Sequence, residues 1–380
     1  MIYLDNAATS KFKPKCMFDA MFCQLGDSAN PGRGGHSDSI DCAIKIEDTR
    51  NTLKALAGAD QGFDLVFTSG CTEALNLALF GYLGDKDGGN VVATVFEHNS
   101  VLRPLEKLKS CGRIDEVRYA APSDPSMSVS AEDVRKLTDS STRLIVVNHV
   151  SNVNGATADI EAIGKFAKSA NIPFLVDGAQ SFGHKKIDIK KCNVSMFACA
   201  GHKGLHGSQG TGFLIVSKDV KLHPIRFGGT GTYSSDLVQP EDMPEGFESG
   251  TINTAGIIGL GAAAKWTFEN FEQLSRHCAY LSSQILYGLG RIPGIKIYTK
   301  TLSDVISFNV KDADSSDVAD YLNDNDVAVR SGLHCAPLAH AFLGTTNQGA
   351  VRVSIDYNNN AYHVSRLLEV LEKYCKLSRP

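Results

Sequence analysis

The sequence predicts an α/β fold: a mostly parallel sheet with helices on both faces, and a smaller unit toward the C-terminus. Near-continuous apolar runs recur at 65–68 (LVFT), 91–96 (VVATVF), 144–150 (LIVVNHV) and 174–180 (FLVDGAQ). Strands buried on both faces read this way, whereas half-exposed strands alternate. Segments of helical spacing separate the runs, as in consecutive βαβ units. A length of 380 residues also exceeds what one core usually serves and suits two domains.

Composition narrows the class. Hydrophobic residues make up 43% and charged residues 21%, the balance of a globular protein. A net charge of −4 gives no reason to expect nucleic acid or an anionic membrane as partner. No apolar run has the length of a membrane span, and MIYLDNAATS lacks the basic and apolar regions of a signal peptide, so a cytoplasmic location is expected. The ten cysteines are scattered, without a CxxC pair or zinc-like spacing. No metal site is expected, and most of these thiols read as small buried hydrophobes.

YLDNAATS reads as a short extended segment, and NPGRGGHSDS (30–39) as a glycine-rich loop carrying His36. A helix is expected from about Ser39 to Ala57. In DLVFTSGCTEALNLALFGYL a β-like run, 65–68, meets a tight turn and then a helix. The N-terminus of that helix offers the N–H groups of Gly70, Cys71 and Thr72 to a phosphate. The plainer reading is an ordinary helix start with Glu73 near the dipole. VVATVF precedes a helix near 100–110, EVRYA (116–120) one near 130–138, and LIVVNHV one over 160–170.

The stretch AGHKGLHGSQGTG (200–212) lies between the apolar runs 194–199 and 213–216, as a turn between two buried strands. Four glycines follow Lys203 and leave little bulk around its amine. Read alone, this is a glycine-rich surface loop that contains a lysine. The strand FLVD, however, ends on Asp177, twenty-six residues earlier. A strand-end aspartate and a loop lysine are the pair that pyridoxal phosphate requires: the carboxylate keeps the pyridine nitrogen protonated, and the lysine carries the aldehyde. His98, Asn152 and Gln180 also follow strand ends, where ligands of such sheets sit. GLGAAA (259–264) fits a dinucleotide pattern only formally, because it lies inside a helical run, and no P-loop occurs.

From Asn253 a long helical segment runs to about Leu289 and bridges to the smaller unit. There VISFNV, a helix near 316–323, VAVRSGLHCAP, VRVSI and a last helix over 363–374 follow one another.

Together the motifs TSGCTEALNLA, EHNS, HVSNVNG, VDGAQS, AGHKGLHGSQGTG, FESGTINT and RSGLHCAP resemble the cysteine desulfurases of the class V aminotransferase-like group. The match runs from YLDNAAT to VRVS, and the short RSGLHCAP connection is similar to the SufS or selenocysteine-lyase side of the NifS/SufS type. The resemblance implies a pyridoxal-phosphate-dependent transferase type I fold. A large seven-stranded domain would span 12–262, and a small α/β domain 263–380 with residues 1–11. It implies Lys203 as the Schiff-base lysine, His202 as a phosphate contact, Asp177 on the pyridinium nitrogen, Gln180 on the phenolic oxygen and His98 stacked on the ring. Cys71 and Thr72 would bind phosphate, and Thr251 would reach the phosphate of the other subunit of a homodimer. Arg352 would clamp the substrate carboxylate, assisted by Asn152 and Arg330, and Cys335 would be the nucleophile. Three positions depart from the family: Ala200 for a serine, Cys71 for a threonine and Leu333 for a frequent histidine.

The activity implied is conversion of L-cysteine to L-alanine, leaving a persulfide on Cys335. Its sulfur would pass to an acceptor protein of the SufE/SufU type, for example in iron–sulfur cluster assembly. A selenocysteine lyase acting on L-selenocysteine, or an aminotransferase or epimerase on the same scaffold, would keep Lys203, Asp177 and Arg352. Only Cys335 separates sulfur transfer from amino-group chemistry.

Overall fold

Seven strands form one sheet in the computed structural model, which describes residues 1–31, 34–124, 127–232 and 234–377. Gly32 and Arg33 of the NPGRGGHSDS loop lie outside the described residues. The strands are β1 (Phe63–Thr68), β2 (Asn90–Thr94), β3 (Glu116–Ala120), β4 (Thr142–Asn148), β5 (Phe174–Asp177), β6 (Met196–Ala200) and β7 (Gly212–Ser217). Their order is β1-β7-β6-β5-β4-β2-β3. All neighbours run parallel except β7, which is antiparallel to both β1 and β6. The mostly parallel seven-stranded sheet expected from the sequence is therefore present.

Alternate side chains of a strand point to opposite faces, and here both faces are dry. Leu144 and Val146 join one core with Leu175, while Ile145 and Val147 join the other with Phe174 and Val176. Helices Cys71–Leu83 and Asn99–Ser110 cover the first face. Helices Ser37–Leu56, Ala131–Leu137, Ile160–Ser169 and Thr254–Glu269 cover the second. Phe174 is wholly buried, and truncating such a ring to alanine costs about 3–5 kcal/mol.

The long helical segment beyond Asn253 is two helices, Thr254–Glu269 and Phe271–Leu289. Asn270 divides them, its side-chain amide donating to the Trp266 carbonyl at 2.8 Å. VAVRSGLHCAP supplies only the short strand Val327–Ala328, which pairs with Ile2–Tyr3. A three-stranded antiparallel sheet, β8 (Ile295–Ile297), β9 (Val305–Val310) and β10 (Val351–Ser354), has β9 at its centre. It packs with helices Phe271–Leu289, Ser315–Asp324 and Ala361–Leu377 around a third core that includes Leu4. The first residues thus lie against the C-terminal sheet, with Asp5 bridged to Ser354. No helix among the described residues is long and apolar enough to cross a membrane.

Two helices had no clear signal in the sequence. Lys15–Gly26 buries Met17 and Gln24 yet exposes Phe18, Phe22 and Leu25, so its apolar pattern is inverted. Pro337–Leu343 is only seven residues long, opening on a proline and closing at Gly344 with φ 70°.

Candidate active site

The parallel strands β1, β2, β4, β5 and β6 end on Thr68, Thr94, Asn148, Asp177 and Ala200, and chemistry-bearing loops follow each end. A cavity of about 270 Å³ lies beyond them. Its lining includes Cys71, Thr72, His98, Asn152, Asp177, Gln180, His202 and Lys203. Eight residues nominated from five separate segments of sequence thus meet at one place.

Each segment delivers its side chain for a local reason. The β6–β7 connection must reverse direction, and within it Lys203 sits at the carboxyl edge of the sheet. Gly212 at the start of β7 lies so near the β1 turn that a Cβ would come within 2.6 Å of the Gly70 backbone. Only glycine permits that approach. Helix Cys71–Leu83 then begins at Gly70 with no side-chain cap, so its first N–H groups stay free for an anion. His98 caps helix Asn99–Ser110, its Nδ1 accepting the Ser100 N–H at 3.1 Å. The proton of the neutral ring is thereby directed to Nε2.

Asp177 Oδ1 is occupied: it accepts the Ala179 N–H at 2.9 Å and the Cys71 thiol at 3.5 Å. Gln180 donates its amide to the Ala7 carbonyl at 2.9 Å. The His202 carbonyl accepts from Ser10 N at 3.1 Å and from Lys13 Nζ at 3.1 Å, so the N-terminal segment fixes the lysine loop from below. Burial pulls the Lys203 ammonium below the ordinary lysine range, against the opposing pull of Cys71 and Asp177. Burial, with Lys203 beside it, takes His202 down to about 4. Burial and Asp177 together push the Cys71 thiol well up, so it stays protonated and acts as a donor.

Arg352, on β10, is buried and reaches the same region. Its Nη1 donates to the Asn152 carbonyl at 3.0 Å and its Nη2 to Asp5 Oδ1 at 2.8 Å, while Nε has no partner. Arg330 pairs with Arg352 through the backbone, and its side chain is exposed.

Cys335 is exposed and lies at the edge of a second groove lined also by Thr72, His98, Ser100, Arg103 and Lys107. Thr72, His98 and Ser100 line both spaces, so the groove that Cys335 lines adjoins the cavity. His334 and Cys335 have φ of 49° and 56°, the left-handed region that costs a non-glycine residue energy. Two bonds hold them there: Asn152 Nδ2 to the His334 carbonyl at 2.6 Å, and the Asn99 N–H to the Cys335 carbonyl at 2.7 Å. His334 turns inward and stacks on His340, away from the exposed thiol. Thr251 is exposed and lines no part of the cavity of its own chain.

Sequence reasoning missed Asp5, Glu97, Ser100 and Asn148. The motif EHNS contains two of them, but a carboxylate beside a histidine carries no distance information. Asp5 sits in the extended opening segment, and nothing local connects it with Arg352 nearly the whole chain away.

The residues present fit pyridoxal phosphate. The uncapped helix start suits a phosphate, and His202 Nδ1 and Asn152 Oδ1 are buried with no partner. Asp177 offers a carboxylate already oriented by two donors.

A sequence model of the family described as aminotransferase class-V matches residues 2–367. A probable cysteine desulfurase of Methanothermobacter thermautotrophicus is 34% identical, the alignment covering 98% of this chain and 94% of the relative. A cysteine desulfurase of Escherichia coli O157:H7 is 30% identical over 99% of this chain and 94% of its own length. Among solved structures, the apo cysteine desulfurase of Thermococcus onnurineus superposes with a TM-score of 0.91 at 32% identity, covering 99% of this chain and 94% of that one.

Proposed function

Because this chain belongs to the aminotransferase class-V family, we propose that it is a pyridoxal-phosphate-dependent cysteine desulfurase. It takes sulfur from L-cysteine onto Cys335 and releases L-alanine. The observation that carries this reading is the meeting of Lys203 and Asp177 in one cavity, with Cys335 lining the groove that adjoins it.

The cofactor would be held by the N–H groups at Cys71 and Thr72 with His202 at its phosphate, by Asp177 at its ring nitrogen, by Gln180 at its phenolic oxygen and by His98 over its ring. Thr251 of a partner subunit would complete the phosphate site, which makes the working unit a homodimer. When bound, pyridoxal phosphate supplies an electron sink for the substrate α-carbon.

The chain's own groups do the remaining work. Arg352 presents a planar fork to the substrate carboxylate, and this fork geometry suits bidentate pairing. Asn152 and Arg330 border that position. Burial drives Lys203 toward the neutral amine, which can take the α-proton onto Nζ. Cys335 Sγ attacks the substrate sulfur, forming the sulfur–sulfur bond as the carbon–sulfur bond breaks. Its exposure lets the loaded sulfur leave to a thiol acceptor of the SufE/SufU type. Stoichiometric alanine from cysteine, accelerated by an added thiol, tests the reading; no alanine from protein loaded with pyridoxal phosphate would refute it.

A further inference from the structure

Glu97, directly before His98, is fully buried where β2 ends. Buried Asp177 accepts the Cys71 thiol and the Ala179 N–H, while Glu248 and Asp356 have the basic partners Arg50 and His206. Glu97 has no such partner among the described residues, and the charged group that faces it is Asp177, of like sign, from the end of β5. Tyr119 of β3 also faces it.

The hydrogen bonds of Glu97 are lopsided. Oε1 accepts the Thr94 hydroxyl at 2.6 Å and the Asn148 N–H at 2.8 Å. Oε2 is buried with no partner, and so is Asn148 Oδ1 on the residue that Oε1 engages. An ionised carboxylate would leave a charged oxygen and a neighbouring amide oxygen both buried and bare, an arrangement proteins rarely tolerate. A proton on Oε2 removes the charge and supplies a donor. The turn is otherwise tight: the Glu97 N–H donates to the Thr94 carbonyl at 3.3 Å, and the His98 ring is already fixed by the Ser100 N–H.

We propose that Glu97 is a neutral carboxylic acid at working pH. It ties the end of β2 to the end of β4 and thereby sets the position of His98 in the cavity, as a positioning residue. Burial, which pushes its carboxyl up to about 8, agrees with this. The protonation state stands on this geometry alone, and only its consequence for cofactor binding rests on the function proposed above.

Infrared difference spectra of wild-type protein against Glu97→Gln test the proton directly. A protonated-carboxyl C=O stretch should be present in the wild type at neutral pH and absent in the variant. Its absence from the wild type overturns the proposal, whether or not any cofactor binds. Glutamine also carries a donor at that position, so E97Q should keep the wild-type visible spectrum and cofactor affinity. Glu97→Ala should weaken cofactor binding roughly tenfold, about the effect of one lost buried hydrogen-bonded link. Equal damage from E97Q and E97A would show that the charge is needed and would refute the neutral acid. Melting temperature gives a further check. A carboxyl whose folded value is raised favours folding fully below its ordinary 4.5 and loses that contribution as pH rises toward about 8. Wild type should therefore fall relative to E97Q across that window; a pH-independent difference contradicts the account.

Discussion

Arg352 Nη2 lies 2.8 Å from Asp5 Oδ1, which joins β10, the last strand of the C-terminal sheet, to the opening segment of the chain. With Nη1 on the Asn152 carbonyl, the guanidinium is fixed at two points before any substrate arrives. Asp5→Ala should therefore raise KM for cysteine by roughly tenfold with kcat little changed, the pattern of lost substrate positioning. Removing one partner of a fully buried pair costs about 3–5 kcal/mol. The Asp5 side chain is 19% exposed, so the variant should lose less than that in denaturant unfolding. A change confined to kcat would contradict this role.

Lys203 is the proposed point of covalent cofactor attachment. The Lys203→Ala protein should lack the visible band and the reducible linkage of the wild type, read by borohydride treatment and peptide mass mapping. Undiminished attachment in that variant would remove the lysine from its role.

His184 Nδ1 is 3.0 Å from Asp304 Oδ2. Burial works against the charged ring, but the Asp304 hydrogen bond and charge outweigh it and raise the histidine above its ordinary 6.5. A raised histidine favours folding fully below its unfolded value and loses that contribution as pH rises through the folded one. Stability of the wild type should fall as pH rises above about 6.5, and Asp304→Asn should flatten that fall. Melting curves across neutral pH measure it; an unchanged slope in D304N would exclude the pair.

Thr251 is exposed on its own chain, as a residue serving another subunit must be. Mixing Lys203→Ala with Thr251→Ala protein should restore activity, because a hybrid dimer holds one site with neither lesion. No gain on subunit exchange, or a fully active monomer in light scattering, would defeat the shared site.

The sheet was legible because its strands are apolar on both faces: FLVD and LIVVN have no other stable environment. Lys203 and Asp177 were legible because a strand-end carboxylate and a glycine-bounded lysine make a chemical pair at any separation. Helix Lys15–Gly26 was not, since exposed Phe18 and Phe22 over buried Gln24 reverse the usual signal. Asp5 and Glu97 were hidden for another reason: their importance lies in partners brought near by tertiary folding. The left-handed backbone at His334 and Cys335 was equally hidden, because neither residue type announces it.

The proposed function requires that Cys335 receive the sulfur. Treating the protein loaded with pyridoxal phosphate with L-cysteine, and mapping its peptides by mass spectrometry without reductant, tests it most directly. One added sulfur on the Cys335 peptide, formed together with alanine and lost in Cys335→Ala, is the result expected. Sulfur on another of the ten cysteines, or near-normal alanine formation in C335A, would contradict the account.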